Sequence, residues 1–414
     1  MAVDRATAYT RSLETWGGQR GAAMEVIATI VAVALAAPLV VLTAAFAIEV
    51  LAGLRTMPAP VPATVTDRPV VIVMPANDEA AVITRTLTLL AAELPDGFRV
   101  LVVADNCTDD TAALAEQAGA QVLRRDDPSR RGKGFALAHA RDHLAAQAAP
   151  CAVAIVLDAD CTIDRASLRA LADAAHHAPA QASYLMRPER DAAPMVQVSN
   201  FAFAIKNLVR QRGLQRLAGR VNLTGTGMAF PWPVFRDAPL ATDDIVEDLA
   251  LGLDLAARGA PPRFAAGATV WSAASSAEGT LKQRTRWEGG FIATSRRHAL
   301  PLIAAGLRTG KPRAIWAGLS LAVPPLTLLL LLDVVGLIAL GVLALLGAAA
   351  WPALLLGGWL LLALAALIAA WARVGRPFLS GAAAARLPLY ILWKIPLYLG
   401  LARKRPTDWL RAGR

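Results

Sequence analysis

Two acids spaced i, i+2 close the apolar run Ala154-Ile-Val-Leu-Asp158-Ala-Asp160. On an extended strand that spacing turns both carboxylates to one side. Hard oxygen donors of this kind suit a divalent cation that also carries a diphosphate. Taken alone, the pattern is weak, because acids after a strand are often turn residues. Lys133 stands between glycines in Arg130-Arg-Gly-Lys-Gly134. There the backbone can come close to a ligand and the ammonium can serve as a point charge for phosphate. The spacing is not that of a Walker loop, and a solvated basic loop is the plain alternative. Glu247-Asp248 open the helical run Leu249 to Ala257. Asp244 and Glu247 have capping-box spacing, so these acids could be structural. Gln283-Arg-Thr-Arg-Trp287 places Gln283, Arg286 and Trp287 on one helical face. Trp287 offers a flat face for a ring and Arg286 a fork for a diphosphate. The same residues describe a basic interfacial helix with a tryptophan at headgroup depth.

These side chains need a scaffold, and the middle of the chain supplies one. Val70 to Met74 is a continuous β-branched strand stopped by Pro75, and Arg99 to Val103 is a second. Residues 79–93 and Thr111 to Ala118 read as helices, Ala120 to Leu123 as a short strand, and Arg124 to Gly134 as a charged loop. A helix to about Ala146 leads into the strand before Asp158. This rhythm predicts a doubly wound α/β domain with strands buried on both faces. Ligands of such sheets sit beyond the carboxyl ends of the strands. Pro75, Ala76, Glu79, Asp105, Asp158 and Asp160 all fall there. Asp105 could also cap the following helix, and Glu79 could be a capping acid or a ribose contact. Leu223-Thr-Gly-Thr-Gly-Met228 reads as a tight turn.

At 56% hydrophobic, the chain is too apolar for an ordinary soluble protein. Val26 to Ile48 carries no charge and is long enough to span a bilayer. It follows a polar prefix of its own, which predicts an anchor rather than a cleaved signal. The expected organisation is a tail at 1–23, a transmembrane helix at 24–54, a catalytic-type domain at 55–300 and a basic linker at 301–315. Two transmembrane helices at 316–373, with Pro324-Pro325 kinking the first, precede an interfacial helix and basic tail at 374–414. Lys394, at the centre of 387–400, argues for an interfacial segment over a further span. Ser199 to Gly219 reads either as a basic amphipathic helix on the membrane surface or as a core-facing helix.

The net charge of +10 fits positive-inside topology and anionic lipid, or an anionic substrate. Nucleic acid is not indicated, since there is neither zinc-finger spacing nor a basic helix interleaved with aromatics. Cys107, Cys151 and Cys161 have no CxxC spacing, which fits a reducing compartment and a cytosolic middle domain. Basic loops place both ends of that domain inside. The Ala- and Arg-rich composition suggests a bacterium, hence a multi-pass protein of the inner membrane.

The ordered set Pro75-Ala-Asn-Asp-Glu79, Ala104-Asp-Asn-Cys-Thr-Asp109, Arg131-Gly-Lys-Gly134, Asp158-Ala-Asp160, Val246-Glu-Asp248 and Gln283 to Trp287 resembles the family 2 glycosyltransferases of GT-A fold. It covers roughly residues 69–300 and is most similar to membrane-bound synthases of the cellulose, poly-N-acetylglucosamine and hyaluronan type. Ceramide-glucosyltransferase-like lipid enzymes share it. The resemblance implies a nucleoside-diphosphate sugar donor, with UDP the expected nucleotide, held by Pro75, Ala76, Glu79, Asp105, Lys133 and Asp158. It implies Mg²⁺ or Mn²⁺ on Asp158 and Asp160, Asp248 as the catalytic base, and Glu247, Gln283, Arg286 and Trp287 on the acceptor side. Two departures leave the donor's base open: Ala104 replaces the first of the family's paired acids, and Asp78 stands where Asn is usual. The expected product is a β-linked polysaccharide made by inversion, with a growing glycan or membrane lipid as acceptor and a partner subunit supplying further helices. Alternatives are a single transfer to a lipid, or a non-catalytic membrane scaffold or transport protein.

Overall fold

The computed structural model describes residues 2–58, 69–148, 151–189, 191–242, 246–273 and 277–403. They divide into two compact units, one of residues 1–48 with 323–368 and the other of residues 49–322 with 369–414.

The larger unit is built on one eight-stranded mixed sheet, in the order β3-β2-β1-β4-β7-β6-β8-β5. Its parallel half holds β1 (Val70–Ala76), β2 (Phe98–Asp105), β3 (Gln121–Arg125) and β4 (Val153–Val156). Val70, Ile72 and Met74 pack into one core cluster, and Val71 and Val73 into another. The continuous apolar run is therefore a strand covered on both faces. The other half is β5 (Cys161–Ile163), β6 (Ala180–Met186), β7 (Met228–Pro231) and β8 (Arg263–Ser272). Here β7 runs antiparallel to both β4 and β6.

Some local expectations change. Pro75 does not stop β1, which continues to Ala76 against β2. The ladder to β4 has ended at Val73, so Pro75 sits where the strand has a single neighbour and its missing N–H is tolerated. The segment 301–315 is no open linker: the helix Ala277–Thr309 turns at Gly310 into the helix Pro312–Ala322. Pro324-Pro325 separates that second helix from Leu326–Leu345 rather than kinking either. Ser199 to Gly219 faces the core. It comprises the ends of the helix Pro194–Ala204, the π-helix Ile205–Arg210 and the helix Gln211–Ala218, with Phe201, Phe203, Leu208 and Leu214 buried.

Glu49, in the last turn of the helix Ala2–Gly53, is buried and paired with Arg210 at 2.7 Å. It also accepts from the Ser320 hydroxyl at 2.6 Å. The helix Leu387–Arg403 lays Lys394 against Glu288, with Tyr390 and Tyr398 beside the ammonium. That burial explains a lysine at the centre of an apolar helix. Lys394→Ala strands a buried carboxylate, which is expected to cost about 3–5 kcal/mol. A thermal melt of the purified variant checks this, and Lys394→Met with Glu288→Gln should recover most of the loss.

Among the described residues, three helices are long and apolar enough to cross a membrane: Met24–Gly53, Leu326–Leu345 and Trp351–Gly375. Within the smaller unit, Asp333 is fully buried and both its oxygens accept from the Thr43 hydroxyl at 2.9 Å.

Candidate functional site

The carboxyl ends of β1, β2 and β4 open into a cavity of about 480 Å³. Pro75, Ala76, Glu79, Asp105, Lys133, Asp158, Asp160, Glu247, Asp248, Arg286 and Trp287 all line it. The backbone of Gln283 lies on the helix Ala277–Thr309, while its side chain, like Asp244, falls outside the described residues.

The two leading acids arrive by a different route from the one their spacing suggests. β4 ends at Val156, so Asp158 and Asp160 lie in the turn that follows. The turn is held by the Asp158 N–H donating to Thr226 Oγ1 at 3.0 Å and by the Cys161 N–H donating to the Asp158 carbonyl at 3.0 Å. Ligand atoms of Asp158, Asp160 and Cys161 all lie within 4.8 Å of one another. Burial first, then Asp160 and Asp158, push the Cys161 thiol well above its usual range, so it keeps its proton. The donor set is thus two carboxylates, which fits a hard divalent cation. In a similar grouping of Asp78, Cys107 and Asp109, both acids are engaged by threonines. Asp78 accepts from the Thr108 hydroxyl at 3.1 Å, and Asp109 from the Thr111 N–H at 3.0 Å.

Lys133 is the first residue of the helix Lys133–Ala145. Its ammonium pairs with Asp158 and donates to the Gly225 carbonyl at 2.7 Å. Burial alone would depress its pKa, but Asp158, Glu247 and Asp248 outweigh burial and raise it. Gly225 belongs to the turn Leu223 to Met228, and Leu223, Thr224 and Gly225 of that turn line the cavity. Its φ of +87° is left-handed, and a Cβ there would lie 3.4 Å from Asp248 Oδ2 and 3.8 Å from Lys133 Nζ. A Cβ would meet both groups at ordinary contact distance, so it is the left-handed backbone that favours glycine here.

Glu247 and Asp248 occupy the first turn of the helix Glu247–Ala257, and Asp248 Oδ1 accepts from the Leu249 N–H at 2.8 Å. Withdrawal from water raises the Asp248 pKa, although that hydrogen bond and the charges of Lys133 and Lys206 pull it back. Glu247 is raised to about 8, by burial first and by Asp248 second. Two neighbouring carboxylates are thus biased toward sharing a proton near neutrality. Arg286 is lowered by burial, against the pull of Glu247 and Asp158. Trp287 stacks on Phe203 with centroids 5.7 Å apart and planes at 23°.

Asp105 does not cap a helix. Its carboxylate pairs with Arg125 and accepts from Asn106 Nδ2 at 3.1 Å, while Asn77 Nδ2 donates to its carbonyl at 2.7 Å. Glu79 contributes its carbonyl to the N–H groups of Val82 and Ile83, and its side chain lines the cavity. Arg125 and Thr226 were not anticipated, because the pairs they form are distant in sequence and follow no motif.

The model of the glycosyltransferase like family 2 matches residues 68–290, over half of the chain. Uncharacterized glycosyltransferases of Mycobacterium tuberculosis and Mycobacterium bovis are 36% identical over 99 residues, 24% of this chain and 40% of theirs. The match therefore spans less than half the length of these curated relatives. Among solved structures, a mannosyltransferase from Pyrobaculum calidifontis in complex with GDP-Man and Mn²⁺ is similar with a TM-score of 0.48 and 18% identity, covering 89% of this chain and 95% of that one. A glucosyl-3-phosphoglycerate synthase from Mycobacterium tuberculosis has a TM-score of 0.35 and 20% identity, covering 50% of this chain and 71% of that one. With the family matched across the sheet and the cavity at its strand ends, the chain belongs to the glycosyltransferase like family 2.

Proposed function

We propose that the protein moves a sugar from a nucleoside-diphosphate sugar to a membrane-associated acceptor with inversion at the anomeric carbon. The observation that carries this reading is the convergence of Asp158, Asp160, Lys133, Arg286, Glu247 and Asp248 on one cavity. Pro75, Ala76, Glu79 and Asp105 receive the nucleoside end of the donor. Lys133 and Arg286 offset charge on the departing diphosphate. Asp158 and Asp160 would hold Mg²⁺ or Mn²⁺, and when bound the ion neutralises diphosphate charge. Solved relatives carry Mn²⁺ with GDP-Man or UDP, which supports a divalent ion and leaves both nucleotides as candidates. Asp248 takes the proton of the acceptor hydroxyl as that oxygen bonds to the anomeric carbon. The bond from that carbon to the diphosphate breaks, and the nucleoside diphosphate leaves with the electron pair. An α-linked donor then gives a β-linked product.

Repeated transfer would build a β-linked polysaccharide, and a single transfer would make a glycolipid. The reading also predicts a multi-pass inner-membrane protein with this unit in the cytosol. Its test is a donor panel of UDP- and GDP-sugars on purified protein with Mg²⁺ or Mn²⁺, scoring released nucleotide and product length. Absence of nucleotide release from every donor sinks the reading.

The acids also set a pH dependence. A base must be ionised to act, and the ionised form is the one disfavoured here. kcat/KM should therefore rise with pH through neutrality as Asp248, raised by its withdrawal from water, loses its proton. Glu247→Gln removes the like charge beside Asp248 and should move the climb to lower pH. A flat profile through neutrality would contradict this assignment.

A further inference from the structure

Beyond the strand-end residues, the cavity has a second wall with no role so far. It is formed by the π-helix Ile205–Arg210 and by the strand-free segment that carries Asn222 and Thr224. π-helical turns are rare and are found mostly where function calls for them. This one brings Lys206, Asn207 and Arg210 to the same cavity.

Asn207 is 3% exposed, and its Oδ1 has no hydrogen-bond partner among the described residues. The Thr224 hydroxyl is buried and also without one. Buried polar atoms are paired in nearly all native structures, and leaving one unpaired costs about 1–3 kcal/mol. Two such atoms on one cavity wall point to a ligand that supplies the missing partners. The backbone behind them is firmly held. Gln211 Nε2 donates to the Asn222 carbonyl at 2.7 Å, and its Oε1 accepts from the Asn222 N–H at 3.0 Å. Gln181 Oε1 accepts from the Thr224 N–H at 2.9 Å. These glutamines fix Asn222 and Thr224 while both residues line the cavity.

The wall adjoins the proposed base: a Cβ on Gly225, the residue after Thr224, would lie 3.4 Å from Asp248 Oδ2. Beside Lys206, whose ammonium lies over the Phe291 ring, the wall offers two amides and a hydroxyl, each able to donate and accept as sugar hydroxyls do. Arg210, the strong cation nearby, is already matched by Glu49.

We propose that Asn207, Asn222 and Thr224 form the acceptor subsite and recognise a neutral polyhydroxylated group, the sugar of a glycolipid or the end of a glycan. This rests on the glycosyl-transfer reading above and names the acceptor class for the same cavity.

The test uses the full chain in proteoliposomes with a labelled donor chosen from the panel. Probes are octyl β-glycosides of glucose, galactose and N-acetylglucosamine below their micelle concentrations, with glycerol 3-phosphate and dioleoylglycerol as comparators. Donor hydrolysis without acceptor reports folding and the donor half separately. Asn207→Leu and Thr224→Val should each raise the KM for the accepted glycoside about tenfold or more, with hydrolysis within twofold of wild type. Asn222→Ala, at a more exposed position, gives the same reading if the buried variants fold poorly. An unchanged glycoside KM with transfer intact overturns the subsite alone. So does acceptance of glycerol 3-phosphate or dioleoylglycerol in place of every glycoside, which would point to Lys206 or to a plain lipid hydroxyl. A wild type that releases no nucleotide from any donor overturns the transfer reading itself, and the subsite with it.

Discussion

Asp248→Asn is expected to lower transfer by about 10²–10⁴-fold, the usual worth of a positioned general base. The substitution keeps the shape of the side chain and an oxygen for the Leu249 N–H, so the protein should fold and bind donor as before. The loss should therefore fall on kcat, with donor affinity close to wild type. Glu247→Gln is the control on the adjoining residue. If Asp248 accepts the proton, Glu247→Gln shifts the pH profile and Asp248→Asn abolishes its acid limb. Full activity in Asp248→Asn would remove this residue from the mechanism. An equal loss in Glu247→Gln would mean that the two acids titrate as one unit and that the base cannot be assigned to either alone.

Asp158→Ala should be at least as damaging, for a different reason. It removes half of the carboxylate pair and also leaves the Lys133 ammonium without its main counter-charge. Loss of a metal's charge stabilisation amounts to several kcal/mol, or about a thousandfold in rate. Donor affinity should fall together with kcat, and titration with Mn²⁺ should show weakened metal dependence. Asp160→Ala separates the two effects, because it leaves the Lys133–Asp158 pair in place. Activity that is independent of divalent ions in the wild type, and retained in Asp160→Ala, would refute the carboxylate assignment.

The parallel half of the sheet was legible because its main strands are short runs of β-branched and aliphatic residues. Asp105 and Asp158 mark the carboxyl ends of β2 and β4, and the rule that ligands gather there was sufficient to group them. The geometry of Asp158 and Asp160 was not legible. A period-two argument assumes a strand, and β4 stops before the acids, which a turn then brings together. β7, at Met228–Pro231, is only 4 residues long, too short for a periodicity to show. Long-range pairs left no sequence signal at all. Arg125 meets Asp105 across two adjacent strands, and Glu49 meets Arg210 across 161 positions. Asn207 looked like one polar residue in a basic stretch, and only its burial without a partner sets it apart.

The burial of Glu49 has a practical side. A natural way to seek a soluble catalytic piece is to cut the chain just after Gly53, discarding the apolar helix. That cut removes the carboxylate that neutralises Arg210 and accepts from Ser320. It would leave the Arg210 guanidinium in the wall of the cavity without its carboxylate, with the Ser320 carbonyl still accepting from it at 3.1 Å, and loss of a buried counter-charge is costly. Residues 49–53 of the helix Ala2–Gly53 thus belong to the larger unit, and a shortened protein needs Arg210 replaced by a neutral residue, or the turn that bears Glu49 retained.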